Sequence, residues 1–330
     1  MHRLDIPASL TNLRRLAKRV AGTPEEIDRP PKEVLFPEFL ASLRRLDLRA
    51  KLLVRGFLQG FHRTPRRGFS AEFSDHRTFV QGDDVRFIDW RLYARTDRLF
   101  VKCFEAETAQ RATIVLDASA SMGYRSKGTA ELPGPVFTKL GYSVTLAAAL
   151  VYLLQSQRDR VGLFCAGGKD GGFYLPPRSP RAHMRRVIEN LSSVHAAGDA
   201  DIVNALEALA SHERRRGMIL LFSDGLCGRQ RLLKALRNLR HRGHELIFFQ
   251  IWDAAELDPP IEPGLAFRDP ETQARFEPLP VEAYRQRAAA HLQALRDGCL
   301  ALPCDYQFLT TETPFDRALI RFLRLRRKRM

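Results

Sequence analysis

The chain has 330 residues, 45% of them apolar, which is enough for one large domain with an extension or for two modest ones and excludes a disordered or fibrous protein. Its net charge of +15 and pI of 10.1, with Arg outnumbering Lys, favour an acidic counterpart: nucleic acid, an anionic membrane surface or an acidic protein. The longest apolar run, over residues 144–154, is interrupted by Thr145 and Tyr152 and falls short of a bilayer span.

The first residues, MHRLDIPASLTNLRRLAKRV, are basic but lack the apolar core and small-residue cleavage site of a secretory signal. Five cysteines, Cys103, Cys165, Cys227, Cys299 and Cys304, show no two-residue metal or redox spacing. A reducing, cytoplasmic location is expected. Much of the positive charge sits in residues 14–19 and in RFLRLRRKRM from Arg321, where a merely solvated surface is the alternative to a specific acidic partner.

Residues 1–35 read as a basic N-terminal segment ending in a proline-rich linker, PEEIDRPPKEVLFPEF. Leu40, Leu43, Leu46, Leu53, Val54 and Phe57 recur at steps that predict an amphipathic helix over 39–57, closing near Gly56 to Gly60. Up to residue 110 no helical period follows. RTFVQ and RLFVKCFEAE alternate as extended strands do, so residues 36–110 are expected to be a helix plus a β-rich segment.

From Arg111 the pattern changes. ATIVLD, RVGLFCAGG, GMILLFSD, HELIFFQIWD and DYQFLTT predict strands. Between them, helices are predicted over 139–155, 181–191 and 202–212, then in RQRLLKALRNLRHRG and VEAYRQRAAAHLQALRDG. GGFYLPP and LAFRDPETQARFEP look like hairpin arms, and RALIRFLRLRRKRM like a terminal amphipathic helix for an acidic or membrane surface. Nearly continuous apolar strands alternating with amphipathic helices predict an α/β fold over 111–330: a doubly wound, mostly parallel sheet in three layers. Ligands of such a sheet bind at the carboxyl ends of its strands.

Asp117, Ser119 and Ser121 stand at the first of these ends, in the sequence DASASMG. A carboxylate and two hydroxyls are hard oxygen donors suited to Mg²⁺ or another divalent cation, and their low charge leaves the ion able to accept a further carboxylate. Asp224 ends another strand and supplies the second carboxylate. Without a metal, the same residues turn the chain and cap a helix. The combination resembles the metal-ion-dependent adhesion site of von Willebrand factor A domains. That resemblance implies a threonine ligand in an intervening loop. Here the corresponding stretch is Gly198, Asp199, Ala200, Asp201, so Asp199, Asp201 or water must replace it, or the site is weakened.

Upstream, Gly68, Glu72, Phe73, Arg77, Gly82, Asp83, Asp84, Arg86, Ile88, Asp89, Trp90, Ala94, Arg95 and Glu105 resemble the ordered signature of the bacterial family called domain of unknown function 58. The resemblance implies a MoxR-type AAA+ ATPase partner, with its client protein, in chaperone-like maturation or stress functions. On their own chemistry, Gly82 to Asp84 read as a turn with a capping aspartate. Arg77, Arg86 and Arg95 are expected to pair with Asp89 and Glu105, and Trp90 to anchor a core or an interdomain contact.

No phosphate-binding Gly-x-x-x-x-Gly-Lys-Ser/Thr stretch, nucleophile elbow or His-Glu-x-x-His motif is present. The expectation is a non-enzymatic, metal-dependent protein-binding protein. The competing expectations are nucleic-acid or anionic-surface binding through the arginine-rich ends and, from another class, a metal-dependent phosphohydrolase using Asp83, Asp84 and Asp117.

Overall fold

The computed structural model describes residues 45–61, 75–81, 85, 88–103, 110–126, 137–169, 171–257, 259, 267–271, 274–276 and 280–327. The chain divides into a unit of residues 62–109 and a larger unit built from the sequence on either side of it. Helix α1 (Leu46–Phe61) belongs to the larger unit, not to the segment that follows it. The expected basic N-terminal segment and its linker lie outside the described residues. α1 runs through Gly56 and Gly60, where a stop was expected. Its buried stripe of Leu46, Ala50, Leu53 and Val54 packs into the core, and such tertiary packing offsets the roughly 1 kcal/mol that each glycine costs a helix.

In the smaller unit, β1 (Asp75–Thr78) and β2 (Phe100–Cys103) form an antiparallel pair. Between them lies a helix absent from the sequence expectation, α2 (Trp90–Thr96). The Asp89 carboxylate accepts the Arg91 and Leu92 amides at 3.0 and 3.1 Å, and Asp97 closes the helix in the left-handed region. A seven-residue helix with no buried residue has no apolar period to detect. Trp90 is 61% exposed, edge-on to Tyr93, so it does not anchor a core. Arg95 is exposed. Gly82, Asp83, Asp84, Arg86 and Glu105 lie outside the described residues, as does the side chain of Arg77.

The larger unit is the predicted α/β fold. Its strands are β3 (Arg111–Ala118), β4 (Arg160–Gly167), β5 (Phe173–Arg178), β6 (Met218–Ser223), β7 (Glu245–Trp252) and β10 (Asp305–Thr310), in the spatial order β10-β7-β6-β3-β4-β5. All neighbours pair in parallel except β5, an antiparallel edge strand. One face is covered by α1, α3 (Lys139–Ser156), α4 (Arg181–Ser193) and α9 (Phe315–Arg327). The other carries α5 (Ile202–His212), α6 (Arg229–His241) and α8 (Val281–Ala301). A short α7 (Ala254–Leu257) follows β7, and β8 (Phe267–Arg268) pairs antiparallel with β9 (Arg275–Phe276) in the expected hairpin.

α3 is apolar nearly all round because the sheet covers one side and α1 the other. The basic terminal helix behaves differently from its expected use. Phe315, Ala318, Leu319 and Phe322 of α9 are fully buried, and Phe315 stacks on Tyr142 at 4.4 Å. Its apolar stripe therefore belongs to the core and is not free for a membrane surface. Among the described residues no helix is long and apolar enough to cross a membrane.

From β3 the chain crosses to β4 on one side, whereas the later strands β6, β7 and β10 build outward on the other. The point where the winding reverses lies between the carboxyl ends of β3 and β6, the crevice where open α/β sheets bind ligands.

Candidate functional site

Parallel pairing brings the ends of β3 and β6 to one pole, where Asp117 near the end of β3 meets Ser223 and Asp224 at the end of β6. Asp117 Oδ1 accepts the Ser119 amide at 3.0 Å, which shapes the loop, and Oδ2 accepts the Ser223 hydroxyl at 2.6 Å. A 3₁₀ turn over Ala120–Gly123 follows, its Met122 buried beneath it. Ser119 Oγ then lies 3.0 Å from Ser121 Oγ, and the Ser121 hydroxyl donates to Asp224 Oδ2 at 2.9 Å.

Asp224 is held from several sides. Its Oδ1 accepts the Leu226 amide, and its backbone carbonyl accepts Gln250 Nε2 and Trp252 Nε1, both at 2.7 Å. The next residue must be glycine: Gly225 has φ of +68° and a Cβ there would lie 2.8 Å from Leu295.

Neighbouring ligands of an octahedral ion at about 2.1 Å are about 3.0 Å apart. The oxygens of Ser119, Ser121 and Asp224, spaced by 3.0 and 2.9 Å through the hydrogen bonds just described, are also compatible with that edge length, so the donor set can accommodate a small hard cation. Electrostatics agree. Burial, and then the Asp224 carboxylate, push Asp117 up to about 6 against the pull of the Ser223 hydroxyl and the Ser119 amide. A cation relieves such a repulsion. Among the described residues no group of three or more His, Cys, Asp or Glu is placed to hold a metal, so any such site depends on the serine hydroxyls.

Two members of the pole were not anticipated. Lys139, fully buried at the start of α3, donates to Asp224 Oδ2 at 2.8 Å and to Glu256 Oε1 at 2.7 Å. Burial opposes its charge, but the two carboxylates together hold the ammonium above its usual range. Burial raises Glu256, and Lys139 offsets part of the rise. The sequence carried both signals: a lysine opening an otherwise apolar helix, and a glutamate just past the carboxyl end of β7, a strand end facing the same pole.

The loop after α4 lies on the Asp117 loop, with the Ala197 amide donating to Ala118 O at 3.1 Å and the Ala120 amide to Gly198 O at 2.9 Å. Ala200 packs so closely on the end of β4 that a side chain at Gly167 would run into its Cβ. Asp199 is exposed on this loop. Asp201, expected as a substitute ligand, is instead the N-cap of α5: its Oδ1 accepts the Val203 and Asn204 amides and its Oδ2 pairs with Arg231 at 2.8 Å. With those oxygens engaged, Asp201→Ala is expected to cost about 1 kcal/mol of stability and leave Mg²⁺ uptake unchanged, as read by urea denaturation and calorimetry. His195 is exposed, and its Nδ1 lies 2.7 Å from Ser193 O in its own turn.

Curated relatives include Uncharacterized protein Rv1480 of Mycobacterium tuberculosis (strain H37Rv) and Uncharacterized protein Mb1516 of Mycobacterium bovis. Each is 29% identical over 299 residues, covering 88% of this chain and 91% of the relative. Among solved structures, BatB from Bacteroides thetaiotaomicron aligns with 15% identity over 66% of this chain and 99% of its own, at a TM-score of 0.40. An aerotolerance-related membrane protein from Bacteroides fragilis aligns with 19% identity over 63% and 96%, at 0.39. The family described as "Protein of unknown function DUF58" matches residues 75–296, two thirds of the sequence and both the segment around β1 and the pole, and the chain belongs to that family.

Proposed function

We propose that this chain is a non-enzymatic protein-binding protein that holds a divalent cation, Mg²⁺ by preference, on Asp117, Ser119, Ser121 and Asp224, and docks an acidic side chain of its partner there. The expected partner is a MoxR-type AAA+ ATPase, which supplies the energy in a chaperone-like maturation or stress role and brings its client. The observation that carries the reading is the row of Ser119, Ser121 and Asp224 oxygens at ligand-edge spacing. The bound ion would supply an electrophilic centre for an incoming carboxylate.

The chain's own residues prepare that encounter. The serines add donors without charge, leaving the ion able to attract an acid. Tyr124, just after the 3₁₀ turn, and Leu226, whose amide caps Asp224, are 40% and 51% exposed and offer apolar contact beside the site. The bonds of the Ser119 and Ser121 hydroxyls run to each other and to Asp224, not to an imidazole that could serve as a base, which favours binding over hydrolysis.

The test is capture of a MoxR-type ATPase by the full chain. Recovery is expected in Mg²⁺ and a loss of at least tenfold in EDTA or with Asp117→Ala. Equal recovery in all conditions overturns the metal mechanism. Retention that falls steeply with salt and ignores Asp117 points instead to the basic surface.

A further inference from the structure

Lys139 has no role in starting its own helix. Thr138 already caps α3 by accepting the Gly141 amide at 2.9 Å, and a lysine in the first turn faces the unfavourable end of the helix dipole. Full burial makes its charge costlier still. The compensation lies entirely at the pole, where the ammonium bridges Asp224 Oδ2 and Glu256 Oε1. Glu256 is itself secured: its Oε2 accepts the Asp253 amide and its backbone carbonyl the Tyr284 hydroxyl, both at 2.7 Å. Asp224 Oδ2 also receives the Ser121 hydroxyl. The oxygen best placed to serve a divalent cation is therefore already shared with a cation that cannot diffuse away.

We propose that Lys139 is the resident cation of the pole: it holds Asp224 and Glu256 in place when no ion is bound and, by its claim on Asp224 Oδ2, weakens the grip of the pole on a divalent cation. The second half rests on the reading of the pole as a divalent-cation site. Together the two halves describe a site assembled in advance of its metal, in which ion and ammonium compete for one carboxylate.

The experiment is calorimetric titration of the full chain with Mn²⁺, comparing wild type, Lys139→Met and the double variant Lys139→Met/Glu256→Gln. Methionine keeps the stem and removes the charge. The double variant removes both members of the pair and keeps the test open should the single variant not fold. Both are expected to bind Mn²⁺ at least about tenfold more tightly than wild type, since a neighbouring positive charge is withdrawn in a poorly screened setting. Binding by the folded double variant that is equal to or weaker than wild type overturns the role of Lys139.

Wild-type binding reports on the underlying cation site separately. Tight binding by the variants where wild type binds nothing supports Lys139 as resident cation and overturns the divalent ion as the wild-type cofactor. Unchanged binding across all three leaves the cation site standing and removes the role of Lys139. No binding by any of them overturns both.

Discussion

Lys139→Met is expected to lower the stability of the metal-free protein by about 3–5 kcal/mol at pH 7, the usual cost of stripping one partner from a buried ion pair. The loss arises from what is left behind. Asp224 is 2% exposed and Glu256 is largely buried, and without the ammonium they stand with Asp117 as carboxylates lacking a nearby counter-charge. Protonation is their way out, so the deficit should shrink as the pH is lowered towards 5. Urea denaturation in EDTA reads the effect. A deficit under about 1 kcal/mol at pH 7 would mean that the pole does not need its ammonium.

The second expected result concerns pH. Asp117 is pushed up to about 6 from 3.8 by burial and by Asp224, so between those values the folded chain holds a proton that the unfolded chain has released. Stability from this group is therefore greatest below pH 4 and is lost as the pH rises through 6. That difference corresponds to on the order of 2–3 kcal/mol. Glu256, also raised, acts with the same sign. The raised Lys139 acts only in the alkaline range: its contribution is intact below 10.5 and lost above that. Asp117→Asn isolates the group, because the stability difference between wild type and variant should change by that amount between pH 4 and 7 in EDTA. A difference constant with pH would remove the repulsion between Asp117 and Asp224 from the account.

The α/β unit was legible because each of its strands is a short apolar run and each large helix has a period of its own. β3, β6 and β7 are read from ATIVLD, GMILLF and HELIFFQIW without help from their neighbours. The meeting of Asp117 with Asp224 follows from a rule about strand ends in parallel sheets, and the structure brings both to one pole, Asp117 accepting the Ser223 hydroxyl and Asp224 the Ser121 hydroxyl. What local pattern could not supply was the destination of long side chains. Lys139 reads as a helix-opening charge, Glu256 as a polar residue after a strand, and only the packing of α3 beneath the pole joins them.

Asp201 was misplaced for the opposite reason. Its capping role is local and legible from the helix that begins at Ile202, whereas a ligand role rests only on its charge and its place beside Ala200. α9 shows how an amphipathic pattern records that one face will be covered, not what will cover it. Phe322 looks the same whether it meets lipid or, as here, the chain's own core.

The covering of one sheet face by both α1 and α9 has a kinetic consequence. These helices pack against each other as well as against α3 or β10, yet more than 250 residues separate Phe61 from Phe315. The stripe of Leu46, Ala50 and Leu53 emerges early from the ribosome and must wait for Phe315, Leu319 and Phe322 before that layer is complete. Closure of so distant a contact is slow to begin. During synthesis the nascent chain exposes an apolar helix face for as long as the intervening strands take to appear, an interval in which it is prone to aggregation. Vectorial folding of this protein should therefore end with a late docking step of its last helix, separable in time from formation of the sheet.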